Sequence, residues 1–222
     1  MFQSRLLDDL GHRYKTDKRS GQRGHDFLRK YEFFLRPFKD LEFTLLELGV
    51  YKGASLRMWA DYFPQAKIVG VDNEPQTVAA ESERIQVILG DLAQLDFLQS
   101  LTAIEPSVII DDASHWWPDQ LRAFFALYPY LETGGVYIME DIHTSFPPLD
   151  SLFKANFHTP PFVILQKLAE YLTGNEKPCP ILKDQNISPI SAPTIFHEDI
   201  MYLAQETDAV VFFERACLLI KK

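Results

Sequence analysis

Five short apolar runs govern what this chain can fold into. They lie at 43–48 (FTLLEL), 67–72 (KIVGVD), 85–89 (IQVIL), 107–111 (SVIID) and 135–139 (GVYIM). None shows strict alternation, so each reads as a strand covered on both faces. Between them the spacing turns helical, with Leu56, Trp59 and Phe63 in one stretch and Leu121, Phe124, Phe125 and Tyr128 in another. Strands that alternate with helices join by right-handed crossovers into a parallel sheet. Residues 200–204 and 209–214, separated by the short polar turn Gln205 to Asp208, read as an antiparallel hairpin at the sheet edge. The expected fold class is therefore α/β, a doubly wound, mostly parallel seven-stranded sheet with its last strand antiparallel.

One domain is expected over 1–222, in four parts. Residues 1–40 form a helical cap: 11–25 is a polar, glycine-containing loop between two short helices, and Phe27, Tyr31, Phe34 and Phe38 share one helical face after it. That aromatic face serves packing on the sheet, the simpler account, or contact between copies in a homo-oligomer. Residues 41–143 are the core that binds the ligand. Residues 144–196 hold eight of the fourteen prolines around a helix expected at 162–173, and so long an irregular insertion reads as a lid or substrate wall. Residues 197–222 are the terminal hairpin.

The charge balance excludes partners more than it names them. There are 31 acids against 22 bases in 222 residues, a formal net charge of −9. Nucleic acid and anionic membranes are bound through basic patches, and no basic run of five occurs. Cys179 and Cys217 are too few for a disulfide framework and lack zinc spacing. Neither a secretory leader nor an apolar stretch of membrane-spanning length is visible, so a soluble cytoplasmic protein is the expectation.

In an open parallel sheet, ligands bind beyond the carboxyl ends of the strands. The first strand finishes in Glu47-Leu48-Gly49-Val50-Tyr51-Lys52-Gly53, the second in Asp72-Asn73, the third in Gly90-Asp91, the fourth in Asp111-Asp112 and the fifth in Glu140-Asp141. Five strand ends thus deliver acids to one expected rim. A dinucleotide fingerprint needs glycines at relative positions 1, 3 and 6, which counted from Gly49 are Gly49, Tyr51 and Ala54. A tyrosine where backbone must approach a diphosphate argues against such a ligand. A nucleoside without phosphates remains, with Asp72 placed to accept both ribose hydroxyls.

The E-x-G-x-x-x-G turn, an acid 25 residues later and the Gly90-Asp91 turn together resemble a class I S-adenosylmethionine-dependent methyltransferase. The resemblance implies the Rossmann-like methyltransferase fold. It implies that Glu47 and Gly49 lie near the methionine part of the cofactor, with Tyr51 and Gly53 in the same turn. Asp72, with Asn73 beside it, holds the ribose, and Asp91, after Gly90, meets the adenine. Asp111 is either a further cofactor contact or a structural acceptor.

A second constellation follows the fourth and fifth strands. VIIDDASHWWP at 108–118 and GVYIMEDIHTSF at 135–146 bring Asp112, His115, Glu140 and Asp141 to neighbouring strand ends. Three carboxylates that close repel one another unless a cation neutralises them. Carboxylate oxygens select hard cations such as Mg²⁺. A metal would acidify a substrate hydroxyl, and His115, whose side-chain type titrates near neutrality, is the natural base.

D-x-S-H followed by E-D-x-H-T-S resembles the metal-dependent sugar O-methyltransferases of macrolide and rhamnosyl natural-product pathways, with the related cephalosporin hydroxylase family. The stretch LLELGVYKGASLRMWADYFPQAKIVGVD and the early Tyr14-Lys15-Thr16-Asp17-Lys18 are similar to that group, whose early motif is usually Y-G-T-D-K. The resemblance implies Asp112, Glu140 and Asp141 as metal ligands, His115 as base, and a small-molecule hydroxyl acceptor such as a glycoside. Ala113 stands where the family usually has glycine, and Lys15 departs in the same way. The competing expectations are a cephalosporin-hydroxylase-type enzyme on a non-sugar acceptor and a non-catalytic S-adenosylmethionine-binding module. Thr16, Asp17 and Lys18 read either as a loop closing over cofactor or as a solvated loop. Trp116 and Trp117 wall an acceptor or simply pack, His143 lines the site or is structural, and Trp59 belongs to the core.

Overall fold

A computed structural model describes residues 6–174 and 197–222. Two helices, α1 (Leu6–Tyr14) and α2 (Leu28–Leu35), precede the first strand. Alternation then begins with β1 (Thr44–Leu48), α3 (Ala54–Tyr62), β2 (Lys67–Asp72), β3 (Ile85–Leu89), α4 (Leu95–Leu101), β4 (Val108–Asp111), α5 (Trp117–Leu127) and β5 (Val136–Met139). After β5 come α6 (Asp150–Phe153), α7 (Pro161–Leu172), α8 (His197–Gln205), β6 (Thr207–Phe212) and β7 (Cys217–Lys221). The seven strands lie in the order β3-β2-β1-β4-β5-β7-β6. β1, β2 and β3 pair in parallel, and β7 runs antiparallel to both β5 and β6. The expected α/β sheet with its reversed last strand is the one that forms.

The chain divides into two compact units, Met1–Asp91 with Pro106–Ile110, and Leu92–Glu105 with Asp111–Lys222. In the first, the register Thr44↔Lys67 to Leu48↔Val71 and Ile68↔Ile85 to Asp72↔Leu89 sets the ends of β1, β2 and β3 side by side. Leu45, Leu46, Leu48, Ile68, Val69 and Val71 are buried on both faces of these strands, as continuous apolar runs require. α3 closes one face with Leu56, Trp59 and Ala60, and Trp59 is core as expected. Phe27 and Tyr31 are buried and their rings stack at 5.5 Å, whereas Phe34 and Phe38 are half-buried.

In the second unit α5 buries Leu121, Phe124 and Leu127 at helical spacing, with Pro118 in its first turn where no amide partner is lost. Phe124, Tyr128 and Tyr137 form an aromatic cluster with centroids 5.1–6.1 Å apart. The helix expected at 162–173 is α7, opened by Pro161 and burying Ile164, Leu165 and Leu168. Pro178, Pro180, Pro189, Pro193 and Cys179 lie outside the described residues. Cys217 is buried, and burial pushes its thiol up.

One expectation needs correction. Residues 200–204 are helical, within α8, and the terminal hairpin is β6 with β7, turning after Phe212 rather than at 205–208. Ile200, Leu203 and Ala204 are the buried residues there, at i, i+3 and i+4. A five-residue apolar run is compatible with either period, and tertiary packing chose the helical one. No helix among the described residues is long and apolar enough to cross a membrane.

Candidate functional site

The turn after β1 is shaped by three left-handed residues, Gly49 (φ 94°), Tyr51 (φ 49°) and Gly53 (φ 68°), the last standing just before α3. A Cβ on Gly53 would fall 2.3 Å from the Ala80 Cβ, so glycine is required there for space as well as for φ. Tyr51 is 76% exposed, its ring covered only by the Lys52 ammonium at 5.0 Å. Asp72 is the organiser of this turn. Its Oδ2 accepts the Val50 and Tyr51 N–H groups at 2.8 and 3.0 Å, and its Oδ1 accepts the Glu74 N–H at 3.0 Å. The two bonds fill the lone-pair positions of Oδ2, whereas Oδ1 retains acceptor capacity beyond its one bond. Gly90 joins the same edge by donating its N–H to the Asp72 carbonyl at 3.0 Å, while Asn73 and Asp91 are exposed.

Glu47 is fully buried and meets the ammonium of Lys18, Nζ to Oε1 3.6 Å, with Lys18 itself 1% exposed. The loop that carries Lys18 buries Thr16 and Lys18, exposes Lys15 and Asp17, and is tied down by backbone bonds. The His25 N–H donates to the Asp17 carbonyl at 2.7 Å, the Asp26 N–H to the Arg19 carbonyl at 3.0 Å, and Phe27 and Leu28 both donate to the Lys18 carbonyl. Lys15 takes φ 61°, which explains why the related motif carries glycine at this place. Ala113 has no such conformation, so its departure from glycine is accommodated.

In the second unit the turns after β4 and β5 carry the other candidates. His115 (φ 57°) and Asp141 (φ 55°) are both left-handed. Ser114 steadies the first turn by donating to Asp119 Oδ2 at 2.7 Å and accepting the Trp116 N–H at 3.3 Å. His115 Nε2 lies 3.3 Å from Asp141 Oδ2 and 3.9 Å from Asp112 Oδ1. Asp112, His115 and Asp141 each offer one ligand atom within 4.8 Å of the others. The buried Asp141 Oδ1 has no hydrogen-bond partner. A desolvated carboxylate oxygen left that way is costly unless a cation or donor reaches it. Such an oxygen, a second carboxylate and an imidazole are a donor set that fits a divalent cation.

Glu140 is not in that trio. It is buried, and its main chain is locked: the N–H donates to the Asp111 carbonyl at 2.9 Å and its carbonyl accepts the Gln120 amide at 2.8 Å. Asp111 faces inward, its Oδ2 accepting the Tyr137 hydroxyl at 3.0 Å. Burial pushes the Asp111 carboxyl up to about 7, against the lowering effect of Tyr137, and burial holds the Tyr137 phenol well above its usual range. Asp111 thus has the surroundings of a structural acceptor. Trp117 is buried with its indole N–H on the Thr144 carbonyl at 3.2 Å, so it packs, whereas Trp116 is half exposed. The Phe153 ring lies 6.5 Å from that of His115, and His143 Nδ1 stands 3.5 Å from Asp141 Oδ1.

Reading the sequence alone missed the partners rather than the residues. Nothing in the pattern marks Lys18 as buried, because a lysine in a polar loop looks solvated. The Tyr137–Asp111 and Gln120–Glu140 bonds join residues 26 and 20 positions apart, beyond any local spacing rule.

Residues 46–142 match the model of a family described as a methyltransferase domain. Demethylmacrocin O-methyltransferase of Streptomyces fradiae is 34% identical over 151 residues, 64% of this chain and 38% of that protein. Mycinamicin VI 2''-O-methyltransferase of Micromonospora griseorubida is 34% identical over 151 residues, 64% of this chain and 37% of that protein. The MycE methyltransferase from the mycinamycin biosynthetic pathway, in complex with Mg and SAH, matches with a TM-score of 0.77 at 26% identity, over 97% of this chain and 53% of that one. The chain therefore spans less than two fifths of the length of these two curated relatives and about half of MycE. With the sheet order and the glycine turn in place, residues 46–142 are similar to a methyltransferase domain, and the chain is similar in sequence and fold to sugar O-methyltransferases of natural-product pathways.

Proposed function

We propose that this chain catalyses S-adenosylmethionine-dependent, Mg²⁺-assisted O-methylation of a hydroxyl on a sugar or polyol-bearing natural product. The observation that carries the reading is the trio Asp112, His115 and Asp141, converging within 4.8 Å on the turns that follow the neighbouring strands β4 and β5. Asp112 and Asp141 would hold the cation, with Glu140, next in chain to Asp141, as the third oxygen donor. A divalent cation supplies acidification and orientation of the acceptor hydroxyl. The His115 imidazole takes the hydroxyl proton at Nε2, the nitrogen turned toward the two carboxylates, and Asp141 at 3.3 Å stabilises the imidazolium that results. The deprotonated oxygen attacks the sulfonium methyl, the C–O bond forming as the C–S bond breaks and its electron pair returns to sulfur, so that S-adenosylhomocysteine leaves as a neutral thioether; the step gains chiefly from holding the reactants aligned.

Asp72 accepts the ribose hydroxyls with the capacity left beside its three backbone bonds, and the Gly49–Gly53 turn carries the methionine part. Gly90 and Asp91 border the adenine. The names of relatives, a rhamnosyl tetracenomycin-C 2'-O-methyltransferase and a mycinamicin VI 2''-O-methyltransferase among them, support a glycoside as the acceptor.

Incubation with S-adenosylmethionine, Mg²⁺ and a panel of such glycosides, read by mass spectrometry, should yield one added methyl group, and a chelator should abolish it. Calorimetric binding of S-adenosylhomocysteine with no transfer to any acceptor, with or without metal, would instead support a binding module. Transfer to non-glycosylated acceptors alone would move the reading to the cephalosporin-hydroxylase type.

A further inference from the structure

A buried ion pair is a poor device for stability. An apolar pair of similar volume often does as well or better, because two charges must be stripped of water. Lys18 and Glu47 are 1% and 0% exposed, and their charged atoms stand 3.6 Å apart. What an apolar pair cannot supply is a fixed carboxylate at the end of β1, two residues before the left-handed Gly49. The lysine is fixed as firmly as the acid. Its N–H donates to Thr16 Oγ1 at 3.4 Å, and its carbonyl accepts the Phe27 and Leu28 N–H groups at 2.9 and 3.2 Å, both residues being buried.

We propose that Lys18 is a positioning residue for the cofactor turn, holding the Glu47 carboxylate in one orientation and tying the 15–27 loop to cofactor binding. This rests on the cofactor reading of the Gly49–Gly53 turn. The ammonium stands 3.6 Å from Glu47 Oε1, so its removal takes away a buried charge that holds the carboxylate in place. The turn then loses the fixed carboxylate that the cationic end of the methionine part would meet.

The experiment is calorimetric titration of the full chain with S-adenosylhomocysteine for wild type, Lys18→Arg, Lys18→Met, Glu47→Gln and the Lys18→Met/Glu47→Gln pair. Lys18→Met should weaken binding about tenfold or more, the size seen when a ligand residue loses its supporting partner. Lys18→Arg, which keeps the charge, should recover most of it. The double variant should bind no more weakly than the worse single one, since both remove the same element. In turnover assays the loss should appear in KM for S-adenosylmethionine and leave kcat within about twofold. If Lys18→Met does not fold, the double variant, which leaves no lone buried charge, carries the comparison. Wild-type affinity in folded Lys18→Met or in the double variant overturns the proposal, as do additive losses. Failure of the wild type to bind removes the cofactor reading and this inference together, whereas wild-type binding with an indifferent Lys18 removes only the latter.

Discussion

His115 and Asp141 face each other across 3.3 Å, Nε2 to Oδ2, and both do so from a left-handed backbone. Such a conformation costs most residues other than glycine about 1–2 kcal/mol, and asparagine and aspartate less. Backbone strain of this kind clusters at functional sites, and here two such residues follow neighbouring strands. The turns reverse just after β4 and β5, and that reversal brings an imidazole and a carboxylate from separate loops to one point.

His115→Asn tests the base. Asparagine tolerates the left-handed conformation, so the fold should be kept while the proton acceptor is lost. Turnover should fall about 100- to 10,000-fold, the range of general base catalysis, with S-adenosylhomocysteine affinity unchanged within about twofold. Parallel loss of cofactor binding would mean that His115 acts on the fold or on the cofactor rather than on the acceptor.

Asp141→Asn tests the cation. Wild type should melt at higher temperature as Mg²⁺ is added, because an ion that binds only the folded chain stabilises it by mass action. Asp141→Asn should show no such rise, yet in chelator it should melt no lower than wild type, since a buried carboxylate oxygen that accepts no hydrogen bond has become part of a neutral amide. Thermal melts across a Mg²⁺ series decide this, and a variant that still responds to Mg²⁺ removes Asp141 from the ligand set.

The strands and the acids at their ends were legible because both rest on short-range signals: continuous apolar runs, and the residue types that follow them. The distinction between strand and helix at 200–204 was not, because Ile200, Leu203 and Ala204 read apolar in either period. Which acids would stand together was only partly legible. Asp112 and Asp141 meet, but the group within 4.8 Å is completed by His115 and not by Glu140, a matter of side-chain direction and turn conformation that spacing cannot encode. Asp72 was read as a ribose acceptor. That it also ties down the Val50 and Tyr51 amides follows only once β1 and β2 are set in register.

Lys15 offers a test of the loop that carries Lys18. Its φ of 61° and its exposure mean that the side chain is spared crowding while the backbone is strained. Glycine has no such strain but loses more freedom on folding, about 0.5–1 kcal/mol. The strain relieved is about 1–2 kcal/mol, so Lys15→Gly should be stabilising on balance by about 0.5–1 kcal/mol. For a chain of this size that is a rise in Tm of a few degrees at most. A lower Tm in differential scanning calorimetry would show that the lysine contributes more than its conformation costs.

Tyr128 contributes to the alkaline limit of the second unit, beside the buried Tyr137 and Cys217. Its hydroxyl shares a hydrogen with Thr207 Oγ1 at 2.8 Å, and burial raises the phenol to about 12 from an ordinary value of 10. A group whose folded pKa lies above its unfolded one contributes stability in full below the unfolded value, and loses it as pH rises through the folded one. Below pH 10 both states are neutral there, and Tyr128→Phe should melt lower than wild type by the value of one hydrogen bond, about 1 kcal/mol. Between pH 10 and pH 12 the unfolded wild-type chain ionises at this tyrosine and the folded chain does not, which lowers wild-type stability alone. The deficit of the variant should therefore shrink across that window and change sign. Paired melts of the two proteins from pH 8 to pH 12 measure this difference directly, and a deficit that stays constant would place the phenol in water rather than beneath the β6–β7 hairpin.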